Sequence, residues 1–307
     1  MTKEIYDFVI VGAGAAALAS AVYAARYRLK NLVIGLIPGG IAGTAHEVCN
    51  YPGFNKINGM ELMIKFLEQV KHNDIEIKQE IVQEIKKEKF FKIKTNKAEY
   101  FAKKILLATG SERKKLGIKK ENDFVGKGIS YCATCDSGFY KNKIVGVVGG
   151  SDAALTATLL ISKFAKKIYL MYRKSEFTKS EPAWVEEVKK DKKIQVLFET
   201  FVTELFGKEK LESVKIETKG KSSELKVDGL FIEIGSTPNT KLAEQLGIKL
   251  EKGEIAVDKN QRTNVEGVFA AGDVTTTPFK QIITAAAGGS IAAYTAYKEI
   301  GSEKAKK

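Results

Sequence analysis

The stretch IYDFVIVGAGAAALASAVYAARY, residues 5–27, decides the fold, because an apolar run ends at two glycines and continues as an alanine-rich segment. We predict a buried strand over residues 5–11 and a helix that opens at Ala15. In such a turn Gly12 permits the tight bend, and Gly14 lets the backbone approach a pyrophosphate that faces the helix N-terminus. With a second strand predicted over residues 31–36, the stretch predicts the opening βαβ unit of a dinucleotide-binding fold.

The same order of elements returns in the middle of the chain, about 137 residues later. A strand is predicted over residues 143–148, a turn at Gly149-Gly150-Ser151, a helix over 152–164 and a strand over 167–172. Runs of alternating polarity predict small antiparallel sheets inserted in each unit, at residues 90–95, 99–105, 213–218 and 224–227. Two nucleotide-binding units of related design are therefore expected in one chain.

The end of the chain returns to the chemistry of the first unit, with a strand predicted over 267–271, a turn at Gly272-Asp273 and a helix over 282–300 that is broken at Gly288-Gly289. A chain of 307 residues has room for about two domains. The predicted fold class is α/β, with two Rossmann-like dinucleotide-binding domains of three β/β/α layers, the second inserted in the first. The first domain is predicted to comprise residues 1–113 and 242–307, and the second residues 114–241.

Composition narrows the classes of function. The net charge is +13, but the lysines are spread over the whole sequence and form no aromatic-interleaved basic stripe. A solvated surface is therefore favoured over a nucleic-acid interface. Residues 8–25 fit a strand and a helix better than a leader peptide, and no stretch predicts a membrane span. We expect a cytoplasmic protein with neither a nucleic-acid nor a membrane partner.

The segment Cys132-Ala133-Thr134-Cys135 is the expected chemical centre. Two thiols at this spacing can form a disulfide within one tight turn, and the surroundings tune the thiolate. A zinc site would need two further ligands, which only Cys49, His46 and His72 offer. Redox chemistry is therefore favoured, and no metal is expected.

Four single residues have a functional and a structural interpretation. Asp136 directly follows the cysteine pair, where it can move a proton to or from a thiol or cap a turn. Asp273 ends a predicted strand, where a carboxylate can hydrogen-bond the ribitol of FAD or cap a turn. Cys49 is interpreted as a small buried residue in preference to a functional thiol. Trp184 is interpreted as packing or as partner surface.

Several motifs occur in the order in which thioredoxin reductases carry them, and the chain resembles that family over essentially its whole length. The Cys-Ala-Thr-Cys-Asp segment is the most specific of these motifs, and Lys280-Gln281 is similar to the family's flavin-contacting Arg-Gln. The other motifs are Gly12–Ala17, Asn50-Tyr51-Pro52-Gly53-Phe54, Ala108-Thr109-Gly110, Gly235-x-x-Pro238-Asn239-Thr240 and Ala271-Gly272-Asp273-Val274.

The resemblance implies FAD in the first domain, a pyridine nucleotide in the second, a homodimer, and a thioredoxin as the reduced partner. It implies that Cys135 faces the flavin, that Cys132 attacks the thioredoxin disulfide and that Asp136 is the acid–base residue. The two domains would rotate to present the cysteine pair alternately to flavin and partner. The residues expected to hold FAD are Gly12, Gly14, Ala15, Asn50, Thr109, Gly110, Gly272, Asp273, Gln281 and Ile282.

The second nucleotide motif departs from the family pattern. Its middle glycine is replaced by Ser151, whose side chain crowds the approach of a pyrophosphate. The family's His-Arg-Arg and a following Arg grip the 2′-phosphate of NADPH, and Lys does not reproduce a bidentate Arg contact. The matching residues here are Tyr172, Arg173, Lys174 and Thr178. The weakened nicotinamide site is expected at Gly149, Ser151, Asp152, Arg173 and Lys174.

These departures leave the electron donor open. NADPH is the donor by resemblance, and NADH, a ferredoxin or a deazaflavin are the alternatives for the same disulfide reductase. The motifs also fit a dithiol oxidase that acts on small molecules, which oxygen consumption with a dithiol substrate would distinguish. A non-enzymatic, basic nucleic-acid-binding protein would show salt-sensitive affinity and no flavin.

Overall fold

The computed structural model describes residues 4–45, 48–178 and 180–305. These residues divide into two compact units. The first unit comprises the chain up to Gly43, Val48–Glu112 and the chain from Pro238 onward. The second comprises Arg113–Thr237 and the short segment that begins at Thr44.

Both units contain helices and strands, and in each a run of consecutive strands follows the first strand–helix–strand repeat. In chain order the strands are β1 (Ile5–Val11), β2 (Asn31–Ile34), β3 (Ile77–Lys78), β4 (Val82–Lys87), β5 (Phe91–Thr95), β6 (Glu99–Leu107), β7 (Ser111–Arg113), β8 (Ile129–Ser130), β9 (Ile144–Val148), β10 (Lys167–Tyr172), β11 (Ile194–Phe198), β12 (Thr200–Phe206), β13 (Ser213–Thr218), β14 (Lys221–Lys226), β15 (Gly229–Ile232), β16 (Ser236–Pro238), β17 (Leu250–Glu251), β18 (Glu254–Ile255) and β19 (Val268–Ala270). The helices are α1 (Ala15–Arg26), α2 (Gly59–His72), α3 (Ala133–Asp136), α4 (Asp152–Ser162), α5 (Pro182–Lys190), α6 (Lys241–Gln245) and α7 (Ile282–Ala305). Within the described residues, none of these helices has the length and apolarity needed to cross a bilayer.

The first unit is built on a seven-stranded sheet of order β3-β2-β1-β6-β5-β4, in which β19 also pairs with β6. Strand β6 has two partners along the edge opposite β1. Ala102 lies opposite Phe91 of antiparallel β5, and Ile105 lies opposite Val268 of parallel β19. The parallel nucleotide-binding strands and the predicted antiparallel insertion therefore share one long strand.

The second unit is built on a five-stranded parallel sheet of order β11-β10-β9-β15-β8. A separate antiparallel sheet of β12, β13 and β14 follows β11 along the chain. Each unit thus combines a parallel sheet with antiparallel strands, and the predicted α/β class with two Rossmann-like units is confirmed.

The side chains of β1 alternate between two hydrophobic cores, as expected for a strand buried on both faces. Phe8 and Ile10 pack with the alanines of α1 and α7. Val9 and Val11 pack on the opposite face with residues of β5, β6 and β19. The alanine-rich composition of the two helices therefore reflects close packing of α1 and α7 against the sheet.

The prediction that the last helix is broken at Gly288-Gly289 is wrong, because α7 is continuous from Ile282 to Ala305. A β-carbon on Gly289 would lie 1.9 Å from the carbonyl oxygen of Ala16 in α1. The glycine therefore allows two helix backbones to meet, and the regular helix hydrogen bonds continue through it.

Candidate functional site

Three turns of the first unit meet at one edge of its sheet. Strands β1, β6 and β19 run parallel, with Val11 opposite Leu107 and Leu107 opposite Ala270. The turns that follow these strands begin at Gly12, Ala108 and Ala271. The carboxyl ends of adjacent parallel strands are where open α/β sheets bind ligands.

The first of these turns has the backbone that its sequence predicts. Gly12 has φ = 121°, and a β-carbon there would lie 2.1 Å from the carbonyl oxygen of Ala108. Gly14 is the N-cap of α1, no described side chain caps the helix there, and a β-carbon on Gly14 would meet nothing within 4 Å. The space beside Gly14 is therefore open at the N-terminus of α1, which fits the close approach of a pyrophosphate.

The second turn, Thr109-Gly110, is fastened by Asn239. The Thr109 hydroxyl donates to the Asn239 carbonyl at 2.8 Å, and the Asn239 amide Nδ2 donates to the Thr109 carbonyl at 3.1 Å. The backbone N–H of Asn239 donates to the Gly110 carbonyl at 3.0 Å. Asn239 was not among the predicted site residues. The motif Gly235-x-x-Pro238-Asn239-Thr240 was the sequence signal that could have identified it.

The third turn places a half-buried carboxylate at the same sheet edge. Gly272 has φ = 81°, and Asp273 follows it. Burial raises the pKa of Asp273, and the positive charge of Lys280 opposes that shift. Lys280 Nζ donates to the Asp273 carbonyl at 2.9 Å and forms an ion pair with Glu254. The side-chain oxygens of Asp273 fit hydroxyl groups of a polyol.

Two further candidate residues lie within hydrogen-bonding distance of each other. Asn50 Nδ2 donates to Gln281 Oε1 at 3.2 Å, although the two residues are 231 positions apart in the chain. Ile282 is the first residue of α7. The loop that contains Asn50 also lines a surface pocket with its neighbours Cys49–Asn55. The structure therefore brings two of the predicted FAD residues, Asn50 and Gln281, together.

The interpretation of Cys49 as a buried residue is wrong, because its side chain is exposed. Its neighbour Val48 pairs with Ile57 in an isolated bridge, and both of these side chains are buried. Successive side chains of extended chain point to opposite sides, so Cys49 faces outward where Val48 faces inward. Trp184 of α5 packs against the hydrophobic core of the second unit.

The second unit contains a disulfide between Cys132 and Cys135. Cys132 is the N-cap of α3, a short helix that begins at Ala133, and the Cys135 backbone N–H donates to Cys132 Sγ at 3.2 Å. The Asp136 N–H donates to the Cys132 carbonyl at 3.1 Å. Cys135 is exposed, whereas Cys132 is half-buried. A backbone donor aimed at Cys132 Sγ favours a thiolate at that sulfur after reduction.

Sequence reasoning missed two features around this disulfide. Phe139 lies four residues after Cys135 and is 82% exposed. Tyr131, directly before the pair, donates its hydroxyl to the buried carboxylate of Glu121 at 2.5 Å. The exposure of a large apolar side chain and the hydrogen bond of a tyrosine to a buried glutamate leave no spacing pattern in the sequence.

The glycine turn of the second unit, Gly149-Gly150-Ser151, lies against the loop that follows β10. Gly149 has φ = 152°, and Ser151 is the N-cap of α4. The Ser180 hydroxyl donates to the Gly150 carbonyl at 3.1 Å, and Asp152 Oδ1 accepts the Glu181 N–H at 2.6 Å. The predicted nicotinamide residues therefore hold the loop after β10 against the turn.

An aromatic stack covers the same turn. The nearest ring carbon of Tyr172 lies 2.3 Å from where a β-carbon on Gly150 would stand, so the ring packs directly on the glycine backbone. Tyr172 stacks on Phe177 with ring centres 5.7 Å apart, and Phe177 meets Phe198 edge to face.

The two basic residues of this turn region are exposed. Arg173 and Lys174 follow Tyr172 directly, and both side chains face solvent. Lys174 Nζ donates to the Thr178 hydroxyl at 2.9 Å within the same loop. Two exposed positive charges therefore follow the end of β10.

Comparison with known proteins gives one consistent result. The profile of the pyridine nucleotide-disulphide oxidoreductases matches residues 6–289. The thioredoxin reductase of Mycoplasma genitalium is 41% identical over 302 residues, which cover 94% of each chain. The crystal structure of Lactococcus lactis thioredoxin reductase in its FR conformation has a TM-score of 0.93 at 34% identity, covering 95% of this chain and 98% of that one. The structure of T. acidophilum thioredoxin reductase has a TM-score of 0.92 at 37% identity, covering 97% and 99%.

Proposed function

The chain belongs to the thioredoxin reductases of the pyridine nucleotide-disulphide oxidoreductase family, and from that premise we propose that it passes electrons through FAD and the Cys132–Cys135 disulfide to a thioredoxin. The observation that carries the proposal is the disulfide itself, formed at the start of α3 with a backbone donor on one sulfur. The glycine turn at Gly12 and Gly14 supplies the second requirement, a site for the cofactor.

FAD would be held by residues of the first unit. The N–H groups at the start of α1 would receive the pyrophosphate, and the side chain of Asp273 would receive hydroxyl groups of the ribitol. The other residues assigned to FAD are Gly12, Gly14, Ala15, Asn50, Thr109, Gly110, Gly272, Gln281 and Ile282. When bound and reduced by the electron donor, the flavin would supply the electron pair that reduces the disulfide.

The reduced cysteine pair then exchanges with the thioredoxin disulfide in two steps. Cys132 Sγ attacks one thioredoxin sulfur, so that a mixed disulfide forms and the other thioredoxin sulfur leaves as a thiolate. Cys135 Sγ next attacks Cys132 Sγ, which re-forms the disulfide and releases the second thioredoxin sulfur. Asp136 supplies and removes the accompanying protons. The Cys135 N–H that points at Cys132 Sγ supports Cys132 as the attacking thiolate.

The surface beside the pair supports a protein substrate. Phe139 lies four residues after Cys135, and its side chain is one of the most exposed large apolar side chains in the described chain. An exposed aromatic residue provides contact area to a partner at low entropic cost. The compartment proposed for such a dithiol couple is the reducing cytoplasm, which cell fractionation checks.

The donor proposed for this reaction is NADPH, bound weakly. The family uses the nucleotide, and Arg173 and Lys174 keep positive charge at the end of β10. The Tyr172 ring on Gly150 and the Ser180 bond to its carbonyl occupy the backbone that a pyrophosphate would approach. The weak residues of this site are Gly149, Ser151, Asp152, Arg173 and Lys174.

The proposed assembly is a homodimer. Tyr23 of α1, Tyr27 directly after α1, and Tyr294 and Tyr297 of α7 form a surface patch on the first unit, in which Tyr27 stacks on Tyr297 with ring centres 4.7 Å apart. Tyr23, Tyr294 and Tyr297 are exposed. Contiguous exposed aromatic side chains of this kind mark an interface.

Turnover with cysteine variants tests the proposed function. The FAD-loaded protein is mixed with NADPH and an oxidised thioredoxin, and the thiols formed are counted. We expect Cys132→Ser and Cys135→Ser each to abolish thiol formation while FAD stays bound, because disulfide exchange needs both sulfurs. The exposed Cys49 provides the matched control, and Cys49→Ser keeps full activity. Thiol formation by either variant of the pair would overturn the proposal.

The same variants test the assigned roles. Cys135→Ser is expected to accumulate a mixed disulfide between Cys132 and thioredoxin, whereas Cys132→Ser is not. Asp136→Asn is expected to slow turnover by about 100-fold, the order of magnitude of general acid–base catalysis, without loss of FAD. Full activity of Asp136→Asn at every pH would show that the carboxylate only caps the turn.

A further inference from the structure

Strand β8, which directly precedes the segment with the redox pair, is short. Only Ile129 and Ser130 belong to it, and they pair with β15 through Leu230 and Phe231. The chain from residue 131 onward therefore lies beyond this ladder, and side-chain hydrogen bonds help to hold it. One such bond is local, since the Cys132 N–H donates to the Ser130 hydroxyl at 3.0 Å.

A second anchor comes from a buried carboxylate. Glu121 is only 3% exposed, yet its carboxylate accepts three hydrogen bonds. The N–H groups of Leu116 and Gly117 donate to Oε1 and Oε2 at 2.8 and 2.7 Å, and the Tyr131 hydroxyl donates to Oε1 at 2.5 Å. A buried carboxylate needs such donors, because an unsatisfied charge is costly away from water.

The tyrosine end of this bond is equally fixed. The Tyr131 ring packs against the hydrophobic core that contains Phe124, Ile129 and Leu211. Burial and the neighbouring Glu121 charge raise the pKa of Tyr131, so its hydroxyl stays protonated and keeps donating. The bond spans ten residues and fastens the residue before Cys132 to the loop before the strand.

We propose that Glu121 and Tyr131 are positioning residues that hold Cys132 beside Cys135 and thereby favour the closed disulfide. This inference rests on the redox role proposed for the pair. Two thiols that the backbone already holds together lose less conformational freedom when they join, so their disulfide forms with a larger equilibrium constant. Without the anchor, the reduced chain has more freedom and the disulfide is easier to reduce.

The test is the redox equilibrium of the pair in Tyr131→Phe, which keeps the ring and removes the donor. The FAD-loaded enzyme is equilibrated with dithiothreitol buffers, and the Cys132 and Cys135 thiols are trapped by alkylation and counted by mass. We expect the disulfide of the variant to be about three- to tenfold easier to reduce. A tenfold change corresponds to a shift of about 30 mV toward positive potential.

The first unit offers a matched control. Tyr100 donates its hydroxyl at 3.0 Å to the carboxylate of Glu80, which is 7% exposed, so Tyr100→Phe removes the same kind of bond from a buried glutamate. This variant is expected to leave the redox equilibrium of the cysteine pair unchanged. An equal shift in Tyr100→Phe, or none in Tyr131→Phe, would overturn the proposal.

Two additions keep the result interpretable. Glu121→Gln retains the shape of the side chain and an acceptor oxygen, and we expect a smaller shift of the redox equilibrium in the same direction. A shift in the opposite direction would contradict the proposal.

Thiol trapping needs no thioredoxin and no turnover. An enzyme that fails to reduce thioredoxin but shows the Tyr131→Phe shift would therefore contradict the proposed function and still support the positioning role.

Discussion

At the scale of single residues, the sequence identifies side chains whose chemistry depends on short spacing. The cysteine pair was predicted because three positions separate Cys132 from Cys135, and the structure joins these sulfurs in a disulfide. The environment of Cys49 was predicted wrongly, because exposure depends on which way an extended segment faces. Glu121 and Tyr131 were missed because a hydrogen bond across a folded loop leaves no pattern in the sequence.

The residues that weaken the nucleotide site give a prediction about the donor. We expect Ser151→Gly combined with Tyr172→His and Thr178→Arg to lower the KM for NADPH. Each charge-assisted bond to the 2′-phosphate that is restored is worth about 1.5–3 kcal/mol, or roughly ten- to a hundredfold in affinity. Steady-state kinetics with NADPH and NADH measure the change in KM. The single variant Thr178→Arg should lower the KM for NADPH and leave the KM for NADH unchanged.

Two outcomes would separate the alternatives for the donor. A strong gain in NADPH-dependent activity would identify the second unit as a weakened nicotinamide site. A wild-type enzyme that already reacts with NADPH at low micromolar concentration would show that the covered turn at Gly150 and the loss of two basic side chains do not weaken binding.

At the scale of helices and strands, periodicity identified most elements, and packing between elements decided the rest. Strand β1 and helix α1 follow from an apolar run and a glycine turn. The break predicted in α7 failed because the sequence shows two glycines but not the neighbouring backbone. Only the fold shows that Gly289 lies against Ala16, where a side chain has no room.

The contact between α1 and α7 predicts opposite effects for two glycine substitutions in one helix. In Gly289→Ala the new β-carbon would meet the Ala16 carbonyl, so we expect overpacking to destabilise the protein by about 1–3 kcal/mol. In Gly301→Ala the β-carbon meets nothing within 4 Å, so the helix gains up to about 1 kcal/mol from the better helix former. Thermal unfolding of the FAD-loaded protein measures both.

The FAD content of these variants adds a second measurement. Because α1 carries the glycine turn at its N-terminus, displacing it should also weaken FAD binding in Gly289→Ala and not in Gly301→Ala. Equal melting temperatures and equal FAD content for the two variants would contradict this prediction. Such a result would show that α7 accommodates the new side chain without loss of stability.

At the scale of the whole molecule, a repeated strand–glycine–helix pattern was enough to predict the α/β class. The pattern repeats because each parallel unit needs a strand, a tight turn and a helix to present backbone N–H groups to a dinucleotide. Sequence did not reveal that β6 is shared between the parallel strands and the antiparallel ones, because either half of β6 alone reads as an ordinary strand. Sheet membership depends on partners that are distant in the chain.

The tyrosine patch of α1 and α7 carries the prediction about assembly. We expect Tyr294→Glu to convert a homodimer to monomers at micromolar concentration, because a carboxylate is costly to bury in an apolar interface. Sedimentation velocity measures the mass. Phe201 is exposed on the second unit, so Phe201→Glu is the control and should sediment like the wild type. A wild-type protein that sediments as a monomer would contradict the proposed assembly.

The central claim is that the protein stores electrons at two linked sites, a flavin and the Cys132–Cys135 disulfide. Anaerobic titration of the FAD-loaded protein with a measured reductant tests this most directly, with free thiols counted at each point. The account predicts that the wild type takes up two electron pairs per FAD and gains two thiols, whereas Cys132→Ser and Cys135→Ser take up one pair. A wild type that takes up a single pair while its disulfide stays intact would contradict the claim.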